Sequence, residues 1–429
     1  MKKVLIHNAA SVYDSSVMSN FKSCYNIFFN SGNCFFFYAF EKLLRQRGIP
    51  YECSVSYDSN YINDNFCCVI ELRANIFSKN TSCLDYYYTL LKGVKVPIFF
   101  LTTGIQLNNK SEFHDFIKVI GDKSKRLIDL VYMSGGEFAL RGEYSKYFFD
   151  KLGTNSAQVT GCVSMLEADR NLIVSNEKIS KECFRPMLNG HNDELKQDFY
   201  VKSLKKYITA EYFDQDQFAY ALYGSKHRDY VSLVRQCTAF GVDLLKEKRV
   251  NLFYSIPEWK SYIKNRSFNF SFGSRIHGSI LPLTQGIPSL VHSKDLRVKE
   301  LCDFYSIPYI ENQEIKDDLF DLYLKTDYTE FNKNFASKYD LIKNFIEKNI
   351  IEKLGIKETR AKQFNDVSID IDQFHLKKVT SKIRIPSRIE LYIRLYIMYI
   401  LLYMFKKNSV GGGNLNIRTI QYLLGKLKC

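Results

Sequence analysis

The chain has 429 residues, 46% of them apolar and 25% charged, enough for two domains and an appendage. Its formal charge of +14 is unevenly spread: residues 376–429 hold eleven Lys/Arg against one acid, Glu390, a net +10. The body is therefore nearly balanced, which excludes a general nucleic-acid binder, and eleven cysteines without C-x-x-C or His/Cys ligand spacing point to reduced thiols and no metal site.

Met1–Ala9 lacks a signal-peptide pattern, and Val4–His7 reads as a first buried strand of a protein facing the cytosol. A helix from about Cys34 to Arg47 follows, then strands at Glu52–Tyr57 and Cys67–Glu71. Next come a helix near Cys83–Leu91, a strand at Pro97–Thr102, a helix at Lys110–Lys118, a strand at Leu130–Ser134 and a helix near Ser145–Leu152. Strands alternating with helices predict a mostly parallel sheet wound on both faces. That rhythm fails over Ser164–Asn192, which reads as an interdomain connection.

A second α/β unit starts with a strand at Tyr207–Tyr212, followed by a helix at Arg228–Phe240, a strand at Asn251–Tyr254 and a helix at Ile256–Lys264. In Phe268–Leu290 the alternation of Phe268, Phe270 and Phe272 marks a strand, Gly273-Ser274 a turn, and Arg275–Gln285 a short helix that Gly286 ends. Pro288 returns the chain to an extended run, Ser289–His292, and Leu301–Tyr305, Pro308–Ile310 and a helix at Phe331–Lys348 complete the unit. The expected organisation is a domain over 1–165, a connection over 166–192, a second domain over 193–355, and a linker and tail over 356–429.

The tail differs in kind. Ile383–Phe405 is apolar and aromatic but interrupted by charge, and its longest charge-free run, Leu395–Phe405, is well short of the about 20 residues that span a bilayer. It reads as a helix lying at an anionic membrane surface, or else packed on the body or a partner. Gly411-Gly412-Gly413 reads as a joint before a short last helix.

Arg275 and His277 stand at a helix mouth, where backbone N–H groups and the helix dipole attract anions. A guanidinium grips carboxylate or phosphate in a bidentate way, and an imidazole moves protons near neutral pH. The plain alternative is an Arg–Asp pair and a capping histidine that fix the turn.

Gly273-Ser274-Arg275-Ile276-His277-Gly278, then Gly286-Ile287-Pro288 and Asp295-Leu296-Arg297-Val298-Lys299-Glu300-Leu301, resembles the C-terminal motif of the polysaccharide pyruvyl transferase family. Asn30-Ser31-Gly32-Asn33, Ala74-Asn75-Ile76, Thr103-Gly104-Ile105-Gln106, Leu140-Arg141-Gly142-Glu143-Tyr144-Ser145 and Val159-Thr160-Gly161-Cys162 resemble its other blocks in order, across roughly residues 1–310. Gly142 stands where many relatives carry Asp, and Val163 where many carry Pro.

The resemblance implies two doubly wound Rossmann-like domains of GT-B-like form, with the acceptor side in the first and the Arg-x-His motif in the second. It implies transfer of a pyruvyl group from phosphoenolpyruvate (PEP) to a sugar diol, forming a cyclic ketal without a further cofactor. His277 and Arg275 are the expected catalytic residues; Arg141, Ser274, Gly278, Asn33, Gln106 and Asn75 the expected substrate-binding ones. Asp295 and Arg297 either brace their loop or touch ligand. A lipid-linked acceptor would give the basic tail a purpose at the inner face of the plasma membrane. A GT-B glycosyltransferase using a nucleotide sugar is the alternative, and an inactive membrane scaffold a further one.

Overall fold

Runs such as Phe66–Leu72 and Ile98–Thr103 are apolar nearly throughout, the pattern of parallel strands covered by helices on both faces. The computed structural model describes residues 2–55, 58–190, 194, 197–215, 244, 247–311 and 315–356 of such a protein. Among the described residues, twelve strands fall into two six-stranded sheets within one compact unit. The first holds β1 Lys3–His7, β2 Tyr51–Ser54, β3 Phe66–Leu72, β4 Ile98–Thr103, β5 Glu137–Leu140 and β6 Gln158–Val159. The second holds β7 Pro186–Asn189, β8 Glu211–Phe213, β9 Val250–Asn251, β10 Phe270–Gly273, β11 Ser289–Ser293 and β12 Tyr309–Glu311.

All pairings are parallel. The first sheet runs β2-β1-β3-β4-β5-β6 and the second β9-β8-β7-β10-β11-β12, so the winding reverses between β1 and β3 and between β7 and β10. Such reversals open a crevice beyond the carboxyl ends of the strands. The two doubly wound domains expected from the sequence are therefore present.

Aromatic side chains fill the cores. Phe100 stacks on Phe138 at 5.0 Å, and Phe77 meets Phe138, Phe148 and Phe149 in the first half. In the second, Phe270 packs on Phe184 and Tyr323, and Phe272 on Phe199 and Tyr200. The halves also share material: Leu296, at the start of the helix Leu296–Tyr305, belongs to the first half's core and donates its N–H to the Leu107 carbonyl at 2.9 Å.

Several expectations need correction. Leu130–Ser134 is the end of a long helix, Phe113–Met133, whose buried side chains Ile120, Ser124, Leu127, Ile128 and Val131 recur at helical spacing while Met133 is 87% exposed. The strand lies later, at Glu137–Leu140, after Gly135 at φ +81° and Gly136, where a Cβ would overlap the Ile98 backbone. The 166–192 stretch contains β7, a central strand of the second sheet, so it is not purely a connection. Asp198–Lys206 is an unanticipated helix, and the strand expected at Tyr207–Tyr212 is only Glu211–Phe213. Asn30-Ser31-Gly32-Asn33 forms a helix N-terminus: Asn30 caps Ser31–Gln46, its Oδ1 accepting from the Gly32 N–H at 2.7 Å. The helix expected over 228–240 and the tail from 357 onward lie outside the described residues.

Candidate active site

The crevice beyond the two switch points contains a cavity of about 400 Å³. The first half lines it with Asn30, Asn33 and Phe36, with residues 72–75 after β3, Gln106 after β4 and Arg141 after β5. The second half adds Gln215 after β8, residues 274–277 after β10, and Lys294, Asp295, Arg297 and Val298 after β11. Of the eight residues expected to form a site, seven meet here: His277, Arg275, Arg141, Ser274, Asn33, Gln106 and Asn75.

Gly278 does not line the cavity. A Cβ on it would sit 2.7 Å from Asn189 Cγ and from Gln215 Nε2, so its role is to let the helix Ile276–Thr284 approach β7 and Gln215 closely. Asn33 lines the cavity, but its Nδ2 already donates to the Phe28 carbonyl at 3.0 Å. The Ser274 hydroxyl donates to the buried carboxylate of Glu194.

Arg275 is the N-cap of its helix, its N–H donating to Asn189 Oδ1 at 2.9 Å, which aims its side chain into the cavity mouth. His277 lies on the first turn, packed on the rings of Phe35 and Phe36. Burial, with the positive charges of Arg141 and Arg297, holds its imidazole well below the ordinary histidine range. His277 is therefore neutral near pH 7 in the unliganded cavity. Cys162 fits between the two candidate residues, its Sγ 3.9 Å from both His277 Nε2 and Arg141 Nη2.

Arg141 is fully buried, yet its Nε and Nη1 have no hydrogen-bond partner among the described residues. Three further cavity cations are tied to carboxylates: Arg73 to Glu71 at 3.3 Å, Lys294 to Glu194 at 3.0 Å and Arg297 to Asp295 at 3.4 Å. Asp295 also caps its helix, accepting from the Val298 N–H at 2.8 Å, so it braces the loop and lines the cavity. His7, at the end of β1, is held by Glu71, Nδ1 to Oε1 at 2.8 Å.

Arg73, Lys294 and Gln215 were missed as site residues. Arg73 and Lys294 each follow a buried strand by one residue, so the carboxyl-end rule could have found them. Among the described residues no cluster of three or more His, Cys, Asp or Glu could hold a metal ion, and no helix is long and apolar enough to cross a membrane.

No curated protein matches the chain. Similar solved structures include a UDP-N-acetylglucosamine 2-epimerase, at 10% identity and TM-score 0.42 over 85% of this chain and 100% of that one. Another is the lipopolysaccharide outer core galactosyltransferase WaaB, at 12% identity and TM-score 0.34 over 82% and 100%. The family model for polysaccharide pyruvyl transferase matches residues 30–293, from the Asn30 cap to the end of β11. That span is more than half the sequence and carries Arg141, Arg275 and His277 into one cavity: the chain belongs to the polysaccharide pyruvyl transferase family.

Proposed function

We propose that the protein transfers the pyruvyl group of PEP to two hydroxyls of a sugar in a surface polysaccharide or its lipid-linked repeat unit. One observation carries this reading: Arg141 is buried without an ion pair among the described residues, beside Arg275, Arg297 and a neutral His277, in one cavity. A buried guanidinium of this kind calls for an anionic ligand. PEP brings a carboxylate and a phosphate, and a bidentate fork suits either.

The chemistry balances with the residues present. One acceptor oxygen bonds to C2 of PEP as C3 gains a proton; the second oxygen then bonds to C2 as the C–O bond to phosphate breaks. Of the two hydroxyl protons, one is retained at C3 as methyl and one leaves with phosphate. Neutral His277 takes the first hydroxyl proton and returns it to C3, while the arginines and the helix N–H groups stabilise departing phosphate. As written, this requires no cofactor. Asn33, Gln106 and Asn75 face the same cavity and suit sugar hydroxyls.

The charge and aromatic content of the tail suit an anionic membrane surface and a lipid-linked acceptor, which supports a site of action at the inner face of the plasma membrane. Incubation with PEP and an acceptor should yield inorganic phosphate and a product heavier by one pyruvate less one water. A product heavier by a hexose less one water, formed only with a nucleotide sugar, would overturn the reading.

A further inference from the structure

Glu300 sits outside the cavity lining, behind the arginines. Its carboxylate is 1% exposed and accepts from two donors of one residue: the Ser145 N–H at 2.9 Å and the Ser145 hydroxyl, which lies 2.8 and 2.9 Å from its two oxygens. Ser145 lies in the first turn of Glu143–Lys151, the helix that follows Arg141, and its Oγ also accepts from the Ile105 N–H at 3.2 Å in the loop that carries Gln106. The contact thus joins a helix of the second half to two cavity loops of the first.

The fit depends on two glycines. A Cβ on Gly104 would stand 2.9 Å from Glu300 Oε1 and 3.3 Å from Arg141 Cδ, which places carboxylate and guanidinium stem around one point. A Cβ on Gly142 would stand 2.7 Å from the Glu300 carbonyl oxygen. Glu300 and Arg141 do not form an ion pair, so the carboxylate acts on the arginine through the field and through Ser145.

We propose that Glu300 is a positioning residue for the donor cradle, fixing Arg141 through Ser145 and taking up a proton from solvent when the anionic donor enters. This rests on PEP being the donor. The groups facing the carboxylate are Arg141 from the end of β5, Arg297 on its own helix and Ser145; Cys302 and Tyr305 on that helix keep their protons because burial pushes both up. Burial raises Glu300 to about 7, against the pull of Ser145 and the two arginines. An anion that neutralises those arginines removes part of that pull and raises it further.

The test is calorimetric titration of the full-length protein with PEP at pH 7.5, in buffers of different ionisation enthalpy. Wild type should take up a larger fraction of a proton than Glu300→Gln, and the gap should close at pH 6, where the carboxyl is already protonated. Subtracting the variant removes PEP's own ionisation. Ser145→Ala, which removes the hydroxyl's bond to the carboxyl and keeps the backbone N–H one, should shift the uptake to higher pH. Equal uptake by wild type and Glu300→Gln at pH 7.5 would overturn the proposal. If Glu300→Gln fails to fold, an unshifted profile in Ser145→Ala would do the same. If PEP binds to neither protein, the donor reading fails by itself, and inorganic phosphate in the same buffers decides Glu300: no difference between the proteins overturns it.

Discussion

The two sheets reverse their winding at different places in strand order, and they bring different kinds of cation to the shared cavity. The second half offers Lys294 and Arg297, each already held by a carboxylate of its own, and Arg275 at the head of its helix. The first half offers Arg73, held by Glu71, and Arg141, which is fully buried and holds no ion pair among the described residues. A paired cation is close to neutral overall and its geometry is set before ligand arrives. An unpaired buried one is costly to the unliganded fold, because replacing buried charge with apolar volume is often neutral or stabilising. The contrast separates cations whose charge is already met within the fold from a buried one whose charge is not.

The largest expected effect breaks that contrast at Arg141. Arg141→Met should lower kcat/KM for PEP by roughly a thousandfold, since truncating one side of a buried charge contact costs about 2–5 kcal/mol. The same variant should melt no lower than wild type without ligand. If Arg141→Met melted much lower and bound PEP normally, the arginine would be structural.

His277→Ala comes next. Removing a general acid–base group should lower kcat by about 10²–10⁴-fold, while the PEP dissociation constant from calorimetry stays within a few-fold. Near wild-type turnover would reduce the histidine to a packing residue. Its ionisation also predicts a stability profile. The folded protein resists protonating His277 while the unfolded chain accepts a proton as pH falls below about 6.5, so stability is lost toward acid. Glu300 acts in the opposite sense: its raised value gives a contribution complete below 4.5 and lost as pH rises through about 7. Chemical denaturation at several pH values should show the acid loss diminish in His277→Phe and the loss toward pH 7 diminish in Glu300→Gln.

On the paired side the effects should be smaller. Lys294→Met leaves Glu194 without its cation but keeps Arg141 intact, and should weaken PEP by about tenfold or less, one lost charge contact of roughly 1 kcal/mol. Asp295→Ala removes a helix cap and should cost about 1 kcal/mol in denaturant unfolding. A Lys294 effect as large as that of Arg141 would erase the distinction between paired and unpaired cations. Smallest of all, chelator should leave turnover within error, because the arginines suffice to neutralise PEP.

Strand ends were the most legible feature of the sequence. β3, β4 and β11 are short apolar runs, and the polar residues that follow them line the cavity because parallel strands share one direction. Leu130–Ser134 misled because four apolar residues in a row look alike on a helix and a strand; only the spacing back to Ile120 and Ser124 separates them. β7 was hidden by its brevity and its leading proline. Glu300 was quoted within a motif, but nothing local indicates that a helix residue will meet Ser145, 155 positions away. That pairing is created by the docking of two halves, and no periodicity records it.

The helix Leu296–Tyr305 has one more consequence. It inserts Leu296 into the first half's core, and Tyr305 Oη accepts from the Cys162 N–H at 3.3 Å across the same boundary. Neither half can melt without stripping apolar surface from the other. The two sheets should therefore unfold in a single calorimetric transition, with van't Hoff and measured enthalpies in agreement, rather than as two separable modules. A fragment ending before Leu296 would leave a greasy slot open to water, a site for chaperones and self-association.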